Sequence, residues 1–132
     1  MYSKPFLCKV AFVLICIFSV TISITNAQSK LEADAFESVI KQTPTIQVLD
    51  VRTPQEYSNG HISNGLNLNI NDTEFKDKLE ELDRTKPVAV YCAGGVRSAR
   101  AVSILHQLGF QMVYDLIGGI TAWNGKGKVV VK

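Results

Sequence analysis

One residue in the mature part of this chain can serve as a soft nucleophile, Cys92, and its neighbours are arranged around it. The run Val88-Ala89-Val90-Tyr91 is apolar, follows Pro87, and reads as a short buried strand. Cys92-Ala93-Gly94-Gly95-Val96-Arg97 comes next and leads into a helix beginning near Arg97. Gly94 and Gly95 permit backbone angles that other residues resist, so the N–H groups of Ala93, Gly94, Gly95, Val96 and Arg97 can all turn inward. A ring of such donors at a helix N-terminus holds an anion and favours a thiolate at its rim. Arg97 adds a planar, permanently charged fork suited to an oxyanion. The competing reading is a buried structural cysteine beside an ordinary turn. A Gly-Gly pair and an arginine seldom follow a cysteine of that kind, so the chemical reading is preferred.

The elements that must position this loop alternate in type. Leu31 to Gln42 has the apolar spacing of an amphipathic helix, ended by Pro44, and Thr45 to Val51 reads as a strand. Thr53-Pro54-Gln55-Glu56 carries a helix start: Thr53 as N-cap, Pro54 at the first helical position and Glu56 closing a capping box. Gly65 to Ile70 is a second short strand, and a helix capped by Asp72 or Thr73 runs to Leu82. After the Cys92 loop, a helix reaches Leu108 and stops at Gly109, a strand spans Gln111 to Leu116, and Gly118-Gly119 turns into a short helix over Ile120 to Asn124. Lys128 to Val131 is read as an extended tail. Strands separated by helices imply an α/β fold with a parallel sheet and helices on both faces. Ligands then bind beyond the carboxyl ends of the strands, where Asp50, Cys92 and Asp115 could border one crevice.

The first 27 residues read differently. Lys4 and Lys9 precede an apolar, uncharged run from Val10 to Ile24, and Thr25-Asn26-Ala27 resembles a signal-peptidase site. Residues 1–27 are therefore expected to be a signal peptide and 28–132 the mature domain. A retained N-terminal membrane anchor is the alternative, although the run is shorter than the roughly 20 residues a span needs. The protein is expected outside the cytoplasm, in the periplasm if the source is bacterial.

Removing that segment changes the bulk properties. The whole chain of 132 residues has 14 Lys+Arg and 12 Asp+Glu. Loss of Lys4 and Lys9 leaves the mature part formally neutral, which gives no basis for nucleic-acid or membrane-surface binding. Of the 3 cysteines, Cys8 and Cys16 leave with the signal, so Cys92 has no partner thiol within the domain. The 2 histidines and single cysteine form no metal-ligand pattern, and no cofactor is expected. His61 reads as a turn residue and His106 as solvent-facing. Trp123 reads as packed against the sheet.

Three ordered motifs resemble the rhodanese-like sulfurtransferase domains: Asp50-Val51-Arg52-Thr53-Pro54-Gln55-Glu56-Tyr57 with Gly60-His61-Ile62 and Asn67, then Tyr91 to Ser98, then Gly118-Gly119 with Trp123. The similarity covers nearly all of 30–132 and implies a single rhodanese-like domain with a five-stranded parallel central sheet. It implies Cys92 as the persulfide-carrying residue, with Ala93, Gly94, Gly95, Val96 and Arg97 binding substrate. Asp50, Arg52 and Glu56 are expected to fix the loop and its arginine rather than react. The implied activity transfers sulfur from a small anionic donor such as thiosulfate to a thiol or cyanide, in a monomer. A non-enzymatic sulfur carrier or binding module serving a partner protein is the alternative. A phosphatase-like enzyme fits less well, because phosphatases use Cys-x5-Arg and the spacing here is Cys-x4-Arg.

If the N-terminal segment is cleaved, the exported protein begins at Gln28 or close by. The intact mass of protein recovered from the cell envelope checks this, and a full-length membrane-extracted species would favour the anchor.

Overall fold

The computed structural model describes residues 27–132; the expected signal peptide lies outside the described residues, apart from Ala27. Ten elements follow in order: β1 (Ala27–Leu31), α1 (Ala33–Gln42), β2 (Gln47–Asp50), α2 (Pro54–Ser58), β3 (Leu66–Asn67), α3 (Phe75–Glu80), β4 (Val88–Tyr91), α4 (Val96–Gln107), β5 (Met112–Leu116) and α5 (Gly119–Gly125). The strands form one sheet in the order β1-β5-β4-β2-β3. Every pairing in it is parallel. This is the α/β architecture expected of the rhodanese-like fold.

β4 is the central strand, and all four of its residues are buried. Side chains alternate across a strand, so Val88, Val90 and Cys92 join one apolar cluster with Phe75 and Leu79 of α3 and Ala101, Val102 and Leu105 of α4. Ala89 and Tyr91 join the other, with Ala33 and Phe36 of α1 and Ile120 and Trp123 of α5. The Trp123 ring meets Phe36 edge-on at 6.4 Å, packed against the sheet as its sequence context implied.

Several boundaries differ from the sequence reading. The fifth strand is β1 at the edge of the sheet, which was not expected; it ends at Leu31, so the expected helix starts at Ala33 instead and ends at Gln42 as read. The polar residues Gln28, Ser29 and Lys30 of β1 give no strand pattern; the strand exists because it pairs with β5, Lys30 opposite Asp115. Lys128–Val131 forms no strand and makes a single antiparallel bridge, His61 to Val131. It is held by the Trp123 indole N–H, which donates to the Val129 carbonyl at 3.0 Å. α3 starts at Phe75 rather than beside Asp72, and its N-cap Glu74 makes no side-chain cap. The Asp72 carboxylate accepts from the Asn69 amide instead, within the preceding turn. Gly65 follows Asn64, whose φ of 62° is left-handed, a conformation asparagine tolerates. His106 is half-buried rather than solvent-facing, with Nδ1 3.0 Å from the Phe110 carbonyl.

The end of β2 is fixed by a buried ion pair. Arg52 donates to both carboxylate oxygens of Asp50, at 2.6 Å in the shortest contact. It donates as well to the Gly60 carbonyl at 2.8 Å. The two side chains are 6% and 0% exposed, so neither charge has water to fall back on. Asp50→Ala should therefore cost about 3–5 kcal/mol by leaving Arg52 buried and unpaired. Urea unfolding of the mature domain measures this, and a loss below about 1 kcal/mol would contradict it.

Candidate active site

The sheet order creates a crevice. The connection after β2 leads outward to β3, and the connection after β4 leads the opposite way to β5. Adjacent strands whose connections diverge leave a gap beyond their carboxyl ends. Cys92 follows β4 on one side of this gap, and Thr53 to Glu56 follow β2 on the other.

Cys92 is 1% exposed. Its Sγ accepts the Gly95 N–H at 3.0 Å. The thiol donates to Ser98 Oγ at 3.5 Å, and that hydroxyl donates to the Gly95 carbonyl at 3.2 Å. Gly95 serves as the N-cap of α4 with φ 108°, a left-handed conformation that favours glycine. Gly94 needs no such angle, and nothing lies within 4 Å of a Cβ placed there. Of the two loop glycines, therefore, only Gly95 is required by backbone geometry. The first N–H groups of α4 have no intrahelical acceptor and face the loop end of the helix.

What holds the loop comes from further along the chain. Ile120 N–H donates to the Cys92 carbonyl at 2.8 Å, and Thr121 N–H to the Ala93 carbonyl at 3.2 Å. A Cβ on Gly119 would collide with both of those carbonyl oxygens. Gly118-Gly119 is thus more than the turn read from sequence: it is where α5 seats against the Cys92 loop.

Arg97 is occupied. Its guanidinium spans the crevice and donates to both oxygens of Glu56, each at 2.8 Å. Glu56 accepts in addition from Thr53 N–H and Oγ1, both at 3.0 Å, completing the capping box of α2. The bond from Arg97, reinforced by those from Thr53, holds the Glu56 carboxyl down to about 2. The same pairing raises the Arg97 guanidinium further above its ordinary value.

The remaining candidates lie behind this layer. Asp50 and Arg52 bond to one another and to Gly60, while the Asn67 amide donates to the carbonyls of Asp50 and Arg52. They brace β2, β3 and the Gly60 turn and make no hydrogen bond to the Cys92 loop, so any hold they have on Arg97 runs through α2 and Glu56. Asp50 and Asp115 do not border an open crevice either, being 0% and 3% exposed. Asp115 lies within β5, its Oδ1 has no hydrogen-bond partner among the described residues, and burial raises its carboxyl against the pull of Ser98 and Lys30. His61 stacks on Tyr57 at 3.7 Å and directs Nδ1 to the Tyr57 carbonyl. Ser98 was not singled out from sequence; its place in the first turn of a helix that follows a cysteine loop is the signal that could have found it. A cleft of about 430 Å³ lies elsewhere, between α1 and the tail, lined by Ile40, Ile62, Trp123 and Val129 among others. It does not include Cys92.

The family profile described as Rhodanese-like domain matches residues 32–126. Thiosulfate sulfurtransferase GlpE of Coxiella burnetii is 38% identical over 91 residues, covering 69% of this chain and 81% of that protein. The uncharacterized protein YqhL of Bacillus subtilis is 39% identical over 82 residues, covering 62% of this chain. The matched region spans 64% of YqhL, a little under two thirds of its length. Among solved structures, a rhodanese-related protein from Thermoplasma volcanium superposes with a TM-score of 0.69 at 41% identity, covering 78% of this chain and 97% of that one.

Asp115 gives a pH-dependent expectation. An acid whose folded value is raised contributes stability below its unfolded value, near 3.8, and loses it as pH rises through the folded one. Asp115→Asn should therefore melt higher than the wild type near neutrality, with the gain shrinking as pH falls through the raised folded value and smallest at and below 3.8. An equal difference at both pH values, by calorimetry, would contradict it.

Proposed function

This chain belongs to the rhodanese-like domain family, and we propose that it moves a sulfane sulfur from a donor such as thiosulfate to a thiol or cyanide through a persulfide on Cys92. The observation that carries this reading is the position of Sγ: at the end of the central strand, 3.0 Å from the Gly95 N–H and before the first turn of α4. Relatives named as sulfurtransferases support the same class of chemistry.

In the first step the Cys92 thiolate attacks the outer sulfur of thiosulfate. The S–S bond of the donor breaks, sulfite leaves with the electron pair, and the outer sulfur remains as a Cys92 persulfide. In the second, a thiolate or cyanide attacks that outer sulfur and Cys92 leaves as thiolate. The Gly95 N–H and the α4 N-terminus stabilise the negative sulfur in both states. Ser98 Oγ, in contact with Sγ, can follow the charge as it moves onto the outer atom. Arg97 stands at the rim, with both arms of its guanidinium held by Glu56. No second cysteine remains in the proposed mature domain to resolve the persulfide internally, so the acceptor must come from solution or a partner.

Thiosulfate, an acceptor thiol and a site outside the cytoplasm after removal of residues 1–27 are all part of this proposal. A carrier that loads once for a partner protein would use the same Cys92 chemistry without turnover on small acceptors. A phosphatase is disfavoured by the Cys92-x4-Arg97 spacing, one residue short of the loop that surrounds a phosphoryl group.

Reduced mature protein incubated with thiosulfate should gain the mass of one sulfur atom, removable by cyanide or dithiothreitol. Cys92→Ser should gain nothing. No adduct on a folded wild type, together with phosphate release from an aryl phosphate, would overturn the assignment.

A further inference from the structure

We propose that Glu56 is a specificity-determining residue that sets the charge of the sulfur donor, by neutralising Arg97 and so disfavouring dianions against singly charged donors with an apolar body. The inference rests on the sulfurtransferase reading above and concerns which donor the same site prefers.

An arginine five residues after the cysteine would, if free, place a full positive charge at the mouth of the loop. Here both donor atoms of its fork are bound to Glu56 at 2.8 Å. Glu56 cannot easily leave, because Thr53 holds it by a backbone N–H and a hydroxyl at the start of α2. It remains ionised across the physiological range. What a donor meets is therefore the partial positive charge of the α4 N-terminus and the loop amides, which suits one negative charge better than two.

The rim points the same way. Val96 is 77% exposed beside Arg97, and Ile117 is 40% exposed. Ile117 immediately precedes Gly118, whose nitrogen lies 3.7 Å from where a Gly95 Cβ would sit. An apolar donor body can cover these side chains, whereas the sulfonate oxygens of thiosulfate cannot.

Two donors that differ in this respect deliver the same sulfur. Thiosulfate carries two charges and leaves as sulfite. Benzenethiosulfonate carries one, and attack by the Cys92 thiolate breaks its S–SO2 bond to leave benzenesulfinate and the same Cys92 persulfide.

The test measures kcat/KM for both donors, with a thiol acceptor, over a range of added salt. In the wild type, thiosulfate use should be nearly as insensitive to salt as benzenethiosulfonate use, because no uncompensated arginine charge steers it. Glu56→Gln should shift the donor ratio toward thiosulfate by about fivefold, the equivalent of ~1 kcal/mol for one half-exposed charge. The salt dependence for thiosulfate should steepen in the same variant. Arg97→Ala, which leaves Glu56 uncompensated at the mouth, should lose about 10- to 150-fold with thiosulfate. Adding Glu56→Gln to it should recover part of that loss. An unchanged donor ratio and salt slope in folded Glu56→Gln would overturn the inference alone, as would a steep salt slope with thiosulfate in the wild type, a result needing no variant. Failure of both donors to load the wild type would overturn the sulfurtransferase reading and this inference together.

Discussion

For the Cys92 sulfur to accept the Gly95 N–H, the carbonyls of the same loop must face elsewhere and still find donors. In this fold the donors are supplied by α5: Ile120 and Thr121 take the carbonyls of Cys92 and Ala93. Buried carbonyls without partners would cost about 1–3 kcal/mol each, so the contact with α5 is what holds the loop in this conformation. It dictates glycine at 119, since any side chain there would strike those oxygens. Trp123, one turn further on and 4% exposed, anchors α5 against the sheet and the tail. The C-terminal part of the chain therefore belongs to the site although it contributes no side chain to the chemistry.

The second constraint is electrostatic and crosses the crevice. Glu56 does two jobs with one carboxylate: it closes the capping box of α2 and holds both arms of Arg97. Each role fixes the other, because a carboxylate already placed by Thr53 presents a defined pair of oxygens to the guanidinium. Behind it, the buried Asp50–Arg52 pair fixes the end of β2 from which α2 departs. Arg52 then ties that strand end to the Gly60 carbonyl, and Asn67 joins the carbonyls of Asp50 and Arg52 to the edge strand β3. The position of Arg97 is thus transmitted from the strand next to β4, through hydrogen bonds, without passing through the Cys92 loop.

Much of this was legible in the chain. β4 announced itself as an unbroken apolar run, the capping box by Thr53 and Glu56 three residues apart, and the α4 stop by Gly109, which indeed takes a left-handed φ of 94°. These are local signals, each carried by a few neighbouring residues. β1 was not legible because its stability is supplied by β5, eighty-odd residues away, and its own polar residues carry no periodicity. The same holds for the Glu56–Arg97 bond, whose partners are 41 residues apart. The sequence reading expected Glu56 among the residues that fix the loop's arginine, and also assigned that arginine to substrate, without indicating that both of its arms would be taken up by Glu56. Likewise Gly118-Gly119 looked like a turn because nothing local says that another loop lies against it.

Those long-range contacts decide how the local chemistry is expressed. A cysteine, two glycines and an arginine in this spacing specify an anion cradle whose sulfur end is built by Gly95, Ser98 and the α4 N-terminus. Its outer end is not specified by the loop at all, since the charge of Arg97 is set by what β2 and α2 bring against it. A loop of unchanged sequence facing an uncharged residue at position 56 would present a full cation at its mouth; facing Glu56 it presents a neutral pair edged by Val96 and Ile117. The contacts of Cys92 are thus made within the β4–α4 segment and the partner of Arg97 comes from the β2–α2 segment. The divergence of connections on either side of the crevice is what brings the two segments face to face.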